Sequence, residues 1–240
     1  MKLVKHLLAT VLLATSAASF AQTTIVITSD STESTITKTR KHVERVSSDF
    51  GIYVGFNNFT QSPAGFSGDA GTFRPIGSRF VALAWQKRIP LAVSGSTKLR
   101  LITGPEVAWN NFMLEGNNRL VERSNELIVE PSPVALHKSK FVTTQLNLPL
   151  MLNVSFRSGF TLGMGAYAGI RLDSYTREKP EGAKAIRTHG SFNLNPVRWG
   201  LMTELGFRGT AKLFGRYEPN SPFRTGQGPD AGVWAVGVKF

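Results

Sequence analysis

His137-Lys138-Ser139 and His189-Gly190-Ser191 each set an imidazole two residues ahead of a hydroxyl. On a β-strand, residues two apart share a face, so the ring can take the hydroxyl proton where a carboxylate orients it. Asp173 or Glu178 would have to be that carboxylate, and neither stands at a spacing that singles it out. The plainer account makes both pairs polar residues at loop borders, and we read no catalytic residue from them. Metal chemistry has less to work with, because His42, His137 and His189 are scattered and no carboxylate cluster has ligand spacing. Gly163, Gly165 and Gly169 echo a nucleotide loop but lie inside a strand pattern rather than at a strand-to-helix turn. The expectation is no metal and no cofactor.

The elements around these residues alternate with a period of two, which is the signature of strands with one apolar face. Phe50, Ile52, Val54 and Phe56 open the series, and Val81, Leu83 and Trp85 share a face of the second strand, which ends near Arg88. Leu99, Leu101, Val107 and Trp109 mark a third. The fourth carries Val142 and Leu146 through Phe156 on alternate positions, and the fifth runs from Phe160 to Leu172. Val197, Trp199, Leu201, Leu205 and Phe207 define the sixth, residues 210–217 a short seventh, and residues 231–240 the last. Polar or Gly/Pro-rich connections at 60–77, 114–138, 174–191 and 218–230 alternate with short ones. That order predicts an all-β, eight-stranded antiparallel up-and-down transmembrane barrel with short periplasmic turns and long extracellular loops.

Both ends agree with export to a Gram-negative outer membrane. Residues 1–21 have a basic start (Lys2, Lys5), an apolar run and Ser19-Phe20-Ala21 before Gln22, the pattern of a cleaved signal peptide. Residues 22–49 read as a polar periplasmic extension and 50–240 as the barrel, with both barrel termini in the periplasm. Trp234, Val236, Val238 and Phe240 lie on one face of the last strand, which stops on an aromatic residue. It resembles the terminal strand of outer-membrane barrels, and the resemblance implies an assembly signal read by the barrel-insertion machinery. The chain has no Cys, which removes disulfides and thiolate metal sites. Its net charge of +12 suits anionic surfaces, and export argues against nucleic acid.

The second face of the strands is small and polar. It carries Arg100, Glu106, Arg171, Asp173, Arg198, Glu204, Lys212 and Arg216, which we read as a mixed-sign network filling a narrow lumen. An eight-stranded barrel has little more interior than its own side chains occupy, and buried charges need partners. The four Trp fall on the apolar face, toward lipid, so an open pore is not expected. Lys138, Lys140, Arg177, Lys179, Lys184, Arg187 and Arg224 lie in or beside the extracellular loops. They read first as a solvated rim, and second as a surface for lipopolysaccharide phosphates or an acidic partner.

From about Phe50 to Phe240 the chain resembles the PorT-like outer-membrane barrel family of Bacteroidetes-type bacteria. The matching stretches are G-I-Y-V-G-F-N-N-F from Gly51, K-S-K-F from Lys138, Q-L-N-L-P-L from Gln145 and S-F-N-L-N-P-V-R-W-G from Ser191, with the region from Lys212 that includes Gly226, Gly228 and Pro229. Most members of that family have no assigned activity, and the resemblance implies for the name-giving member a role in secretion of cargo across the outer membrane. The expectation for this chain is a non-enzymatic envelope protein with a structural, adhesion or interaction role, with a secretion accessory as its narrower form. Partners on this reading are outer-membrane lipids, lipopolysaccharide and the assembly machinery, with an envelope protein partner unidentified. Lipid A deacylases, also eight-stranded with a His-x-Ser pair near the outer rim, furnish the enzymatic alternative, and a small pore is the third.

Overall fold

A computed structural model describes residues 45–60, 73–74, 76–123, 126–228 and 230–240. The segments read as a signal peptide and most of the polar extension, through residue 44, lie outside the described residues.

Among the described residues twelve strands form: β1 Ser47–Phe59, β2 Arg79–Ser94, β3 Thr97–Thr103, β4 Glu106–Met113, β5 Asn118–Arg123, β6 Glu126–Pro131, β7 Leu136–Ser155, β8 Phe160–Pro180, β9 Ile186–His189, β10 Val197–Phe207, β11 Lys212–Glu218 and β12 Val233–Lys239. Every pairing is antiparallel. β1 lies between β2 and β12, and the pairings continue through β11, β10, β8 and β7 to β3 and β4, which return to β2. Counting β3 and β4 as one wall position gives the eight-stranded ring that the alternation predicts. The seam between first and last strands continues past β12, where Phe240 and Ile52 exchange two backbone hydrogen bonds (3.1 and 2.9 Å).

Several boundaries differ from the sequence reading, each for a local reason. β2 runs on to Ser94, through an irregularity between Pro90 and Ala92, and turns at Gly95 with φ of 57°. The third wall position is two strands rather than one. Gly104 and Pro105 interrupt it because Pro has no N–H for the ladder, and a Cβ on Gly104 would lie 2.0 Å from the Trp85 carbonyl oxygen. The stretch 114–138 is not simply a loop. It holds the β5–β6 hairpin and the start of β7. β8 likewise continues to Pro180 and gains β9 as a neighbour, so part of the stretch 174–191 is sheet. Two walls of the ring, β7 and β8, therefore rise beyond the others at the long-loop end, with β9 alongside β8.

The two faces separate as the alternation requires. Phe50, Trp85, Leu150, Met164, Trp199, Leu213 and Val236 are among the exposed large apolar residues, all on outward positions. Tyr53, Ala82, Met151, Met202 and Phe214 lie inward and buried. Inward glycines make the interior habitable. A Cβ on Gly200 would come within 2.8 Å of the Tyr167 hydroxyl, and one on Gly169 within 2.0 Å of Asn147 Oδ1.

Candidate functional site

The interior is filled in two tiers. The lower tier is ionic. Arg216 donates through both terminal nitrogens to Glu106 (2.6 and 2.5 Å), a fork-to-fork pair with geometric specificity as well as charge. Asn147 Nδ2 adds a third donor to Glu106 at 3.0 Å. Around the Arg216 guanidinium stand the rings of Tyr53, Phe80, Tyr167 and Phe214, with centroids 4.8 to 5.9 Å away. Lys239 donates to both oxygens of Glu204 (3.0 and 2.9 Å) and to Gln86 Oε1 (2.7 Å), and Tyr53 donates its hydroxyl to Glu204 at 2.5 Å. Arg198 pairs with Glu218, which also accepts from the Tyr167 hydroxyl at 2.8 Å. Gln145, its amide oxygen turned toward Arg198, accepts from Nε and Nη1 (3.1 and 2.6 Å). All six charged groups are almost fully buried, and each has its opposite.

Above this tier, toward the long loops, the contents become apolar. Phe59, Phe112, Phe141, Phe192 and Phe223 pack with Leu194, Val233 and neighbours into one buried cluster. Phe59 stacks on Phe112 at 4.5 Å, and Phe192 meets Phe141 edge-on at 5.3 Å. Leu120, Leu127 and Val129 of the β5–β6 hairpin belong to the same cluster, so the hairpin closes the mouth from above. Phe192 takes a left-handed backbone (φ 47°), unusual for an aromatic residue, and the burial of its ring offsets that strain.

Of the eight residues read as a lumen network, Glu106, Arg198, Glu204 and Arg216 are brought into it as ion-paired groups. Arg100 lies inward near the turn end and donates to Ser155 Oγ at 2.9 Å, and Lys212 is inward on β11 beside Lys239. Arg171 sits at the mouth, bonded to Ser174 Oγ and the Ser191 carbonyl. Asp173 does not belong to the network. The register between β7 and β8 shifts at Thr144/Gln145, where Leu172 is the extra residue on β8. A single inserted residue exchanges the faces of everything beyond it. Asp173, Tyr175, Arg177 and Lys179 therefore point outward, and Ser174, Thr176 and Glu178 inward. Sequence reasoning missed Lys239, Glu218, Tyr53 and Gln86 as members. The signal for the first two was available, since 212, 214 and 216 extend by parity to 218, and 233, 235 and 237 to 239.

The His-x-Ser pairs separate in the fold. Ser139 is buried on the inner side, whereas His137 is exposed at the irregularity between Leu136 and Lys138. His189 Nδ1 lies 3.1 Å from Asp173 Oδ1, an acid–imidazole pair that the sequence did not reveal. Neither hydroxyl contacts a histidine among the described residues. Trp234, Val236 and Val238 are outward on β12, and Phe240 is exposed at the seam.

On the outward side of the raised walls, Lys138, Lys140, Arg177 and Lys179 line a concavity of about 240 Å³ with His137. Arg187 on β9 stands beside Arg177 and lies 5.4 Å over the Tyr175 ring. Lys140 stands above the apolar belt, and burial, followed by the charges of Arg177, Lys138 and Arg187, lowers the pKa of its ammonium. Lys184 and Arg224 are in loops and do not line this concavity.

No family model matches the chain, and no curated protein matches it. Among solved structures it is similar to Ail, the attachment invasion locus protein of Yersinia pestis, at 10% identity with a TM-score of 0.33, over 80% of this chain and 97% of that one. That likeness is too slight to carry an inference about this chain's role.

Proposed function

We propose that this protein is an integral outer-membrane β-barrel of a Gram-negative envelope, non-enzymatic, with a structural, adhesion or interaction role. One observation carries the reading: a ring of strands wears its large apolar side chains outward around an interior already occupied from end to end. In water that arrangement would expose far more contiguous apolar surface than a soluble domain tolerates. In a bilayer it satisfies every wall, because a ring leaves no free strand edge for lipid to solvate. The filled interior supports a role played by the outer surface and the raised sheet rather than by transport. The PorT-like resemblance supports a narrower form, an accessory of a secretion apparatus in a Bacteroidetes-type envelope.

Fractionation and gel mobility test the reading. The protein should co-purify with outer membrane, migrate differently before and after boiling, and give flat traces in planar bilayers. Recovery as a freely soluble protein would overturn it, and single-channel steps would favour the pore. Removing Phe240 takes away both hydrogen bonds to Ile52 and should lower the yield of inserted barrel. Normal insertion of that truncation would refute an assembly role for the last strand.

The Asp173–His189 pair supports a second reading, a hydrolase of outer-leaflet lipid with Ser191 as nucleophile. Against it, among the described residues Ser191 is engaged through its backbone carbonyl, which accepts from Arg171 and from the Leu194 N–H, and not through its hydroxyl. Identical lipid A acylation in cells expressing wild type, Ser139→Ala or Ser191→Ala would end it.

A further inference from the structure

Five cations stand in register on the outward side of the raised sheet. Lys138 is directly opposite Lys179, Lys140 is opposite Arg177, and Arg177 is opposite Arg187 on its other flank. Like charges directly across a sheet weaken it, so this ladder works against the walls that hold it. Among the described residues none of the five has a carboxylate within ion-pair distance. Lys140 donates to Asn111 Oδ1 at 3.2 Å and Arg187 covers the Tyr175 ring. Glu178, the acid of the same strand segment, is carried to the opposite side by alternation, and Asp173 is engaged by His189. The concavity between the β7 and β8 cations, about 240 Å³, has room for a phosphate group and several waters, each of which needs roughly 30 Å³.

Its height on the barrel identifies what meets it. Upward along the outer side of β7 come Leu150, Leu148, Leu146 and Thr144, then Val142, which its neighbours bury, and then Lys140 and Lys138. On a tilted strand Lys140 stands about 10 Å above Thr144, beyond the hydrocarbon and within reach, along its own side chain, of a headgroup layer some 5–8 Å deep. The ladder thus faces sideways into the leaflet rather than up into solvent. We propose that this face binds the phosphate groups of outer-leaflet lipid headgroups, with Arg177 as the planar fork and Lys138, Lys140, Lys179 and Arg187 as surrounding point charges. This rests on the membrane reading above. The same phosphate chemistry could arrive as a free anion, but only a lipid is held at this height beside the belt.

The test uses the full chain in an uncharged sugar detergent, titrated with lipid A, with lipid A stripped of its phosphates, and with inorganic phosphate. Binding is followed by native mass spectrometry. Phosphorylated lipid A should bind, the stripped lipid and millimolar inorganic phosphate should not, and Lys140→Gln with Arg177→Gln should weaken binding roughly tenfold. Arg157→Gln with Arg208→Gln, in the short turns at the opposite end of the ring, should leave it unchanged. Equal binding of stripped lipid, equal binding by the ladder variant, or capture of inorganic phosphate at comparable affinity would each overturn the proposal. Heat-modifiable mobility reports folding of every variant first. If the double variant loses it, Lys140→Gln alone should still weaken lipid binding about threefold, and no weakening there overturns the proposal. Failure of the wild type to insert into bilayers would defeat the membrane reading itself. Insertion without preference for phosphate would defeat only the headgroup site.

Discussion

The lumen and the raised outer wall both carry cations on β-strands, and they treat them in opposite ways. Inside, Arg216, Lys239 and Arg198 each face a carboxylate, with tyrosine hydroxyls and amides completing the set. Outside, Lys138, Lys140, Arg177, Lys179 and Arg187 face one another. The difference follows from where each side chain can find water. A desolvated charge without its opposite loses several kcal/mol, so the interior had to be matched residue by residue. A charge at the level of headgroups keeps its hydration or takes a counter-ion from its surroundings, so repulsion there is small and can be left for a ligand to relieve.

Breaking a lumen pair should therefore have the largest effect. Arg216→Ala strands Glu106 beside a ring of aromatic side chains and should lower stability by about 3–5 kcal/mol, read as an earlier urea midpoint in refolded barrel. Replacing both partners, Glu106→Leu with Arg216→Met, should recover most of that loss, because the penalty belongs to the unpaired charge rather than to the absence of a salt bridge. Equal damage from single and double variants would mean that the pair itself, with its fork geometry, holds the ring together.

Much of this was legible beforehand, and the part that was not has a single physical source. Alternation in Leu146 to Phe156 and in Phe160 to Ile170 fixes the faces because a strand has a period of two and nothing interrupts it there. Glu106, Arg198, Glu204 and Arg216 follow from parity alone. Asp173 does not, because parity cannot register the extra residue at Leu172, and one insertion reverses every assignment above it. The Asp173–His189 contact and the outward ladder depend on that reversal, so both were invisible. The aromatic tier was missed for another reason. Phe59, Phe112 and Phe141 are apolar residues on the inner face, and a rule of polar lumen against apolar exterior has no place for them. They make sense only once Phe192, Phe223 and the β5–β6 hairpin fold in from distant loops.

Phe141→Ala tests that upper tier and should have the next largest effect, roughly 3 kcal/mol from lost burial and the cavity left behind. The barrel should still give flat traces in planar bilayers, because the ionic tier below remains filled. Conductance in this variant would place the seal in the aromatic plug rather than in the network. Tyr53→Phe is milder. It removes the hydroxyl that donates to Glu204 and accepts from Gln86 (2.5 and 2.7 Å) while Lys239 still neutralises the carboxylate, so about 1–2 kcal/mol should be lost. A loss as large as that of Arg216→Ala would show that the two lumen clusters act as one.

The smallest effect carries the opposite sign, and it decides the comparison. Lys179→Glu places a carboxylate directly across from Lys138, turning a repulsive cross-strand pair into an attractive one in a partly hydrated setting. In phosphate-free detergent the barrel should gain roughly 0.5 kcal/mol, and the gain should fade as salt screens the pair. Lys239→Glu, the same change made inside, sets two carboxylates against each other beside Glu204 and should abolish folding. A matched loss at both positions would mean that the rim is as desolvated as the lumen and that its cations are structural. A gain outside against a collapse inside would show that the walls enforce pairing only where water is excluded, which leaves the outer ladder free to be matched by something that is not part of the chain.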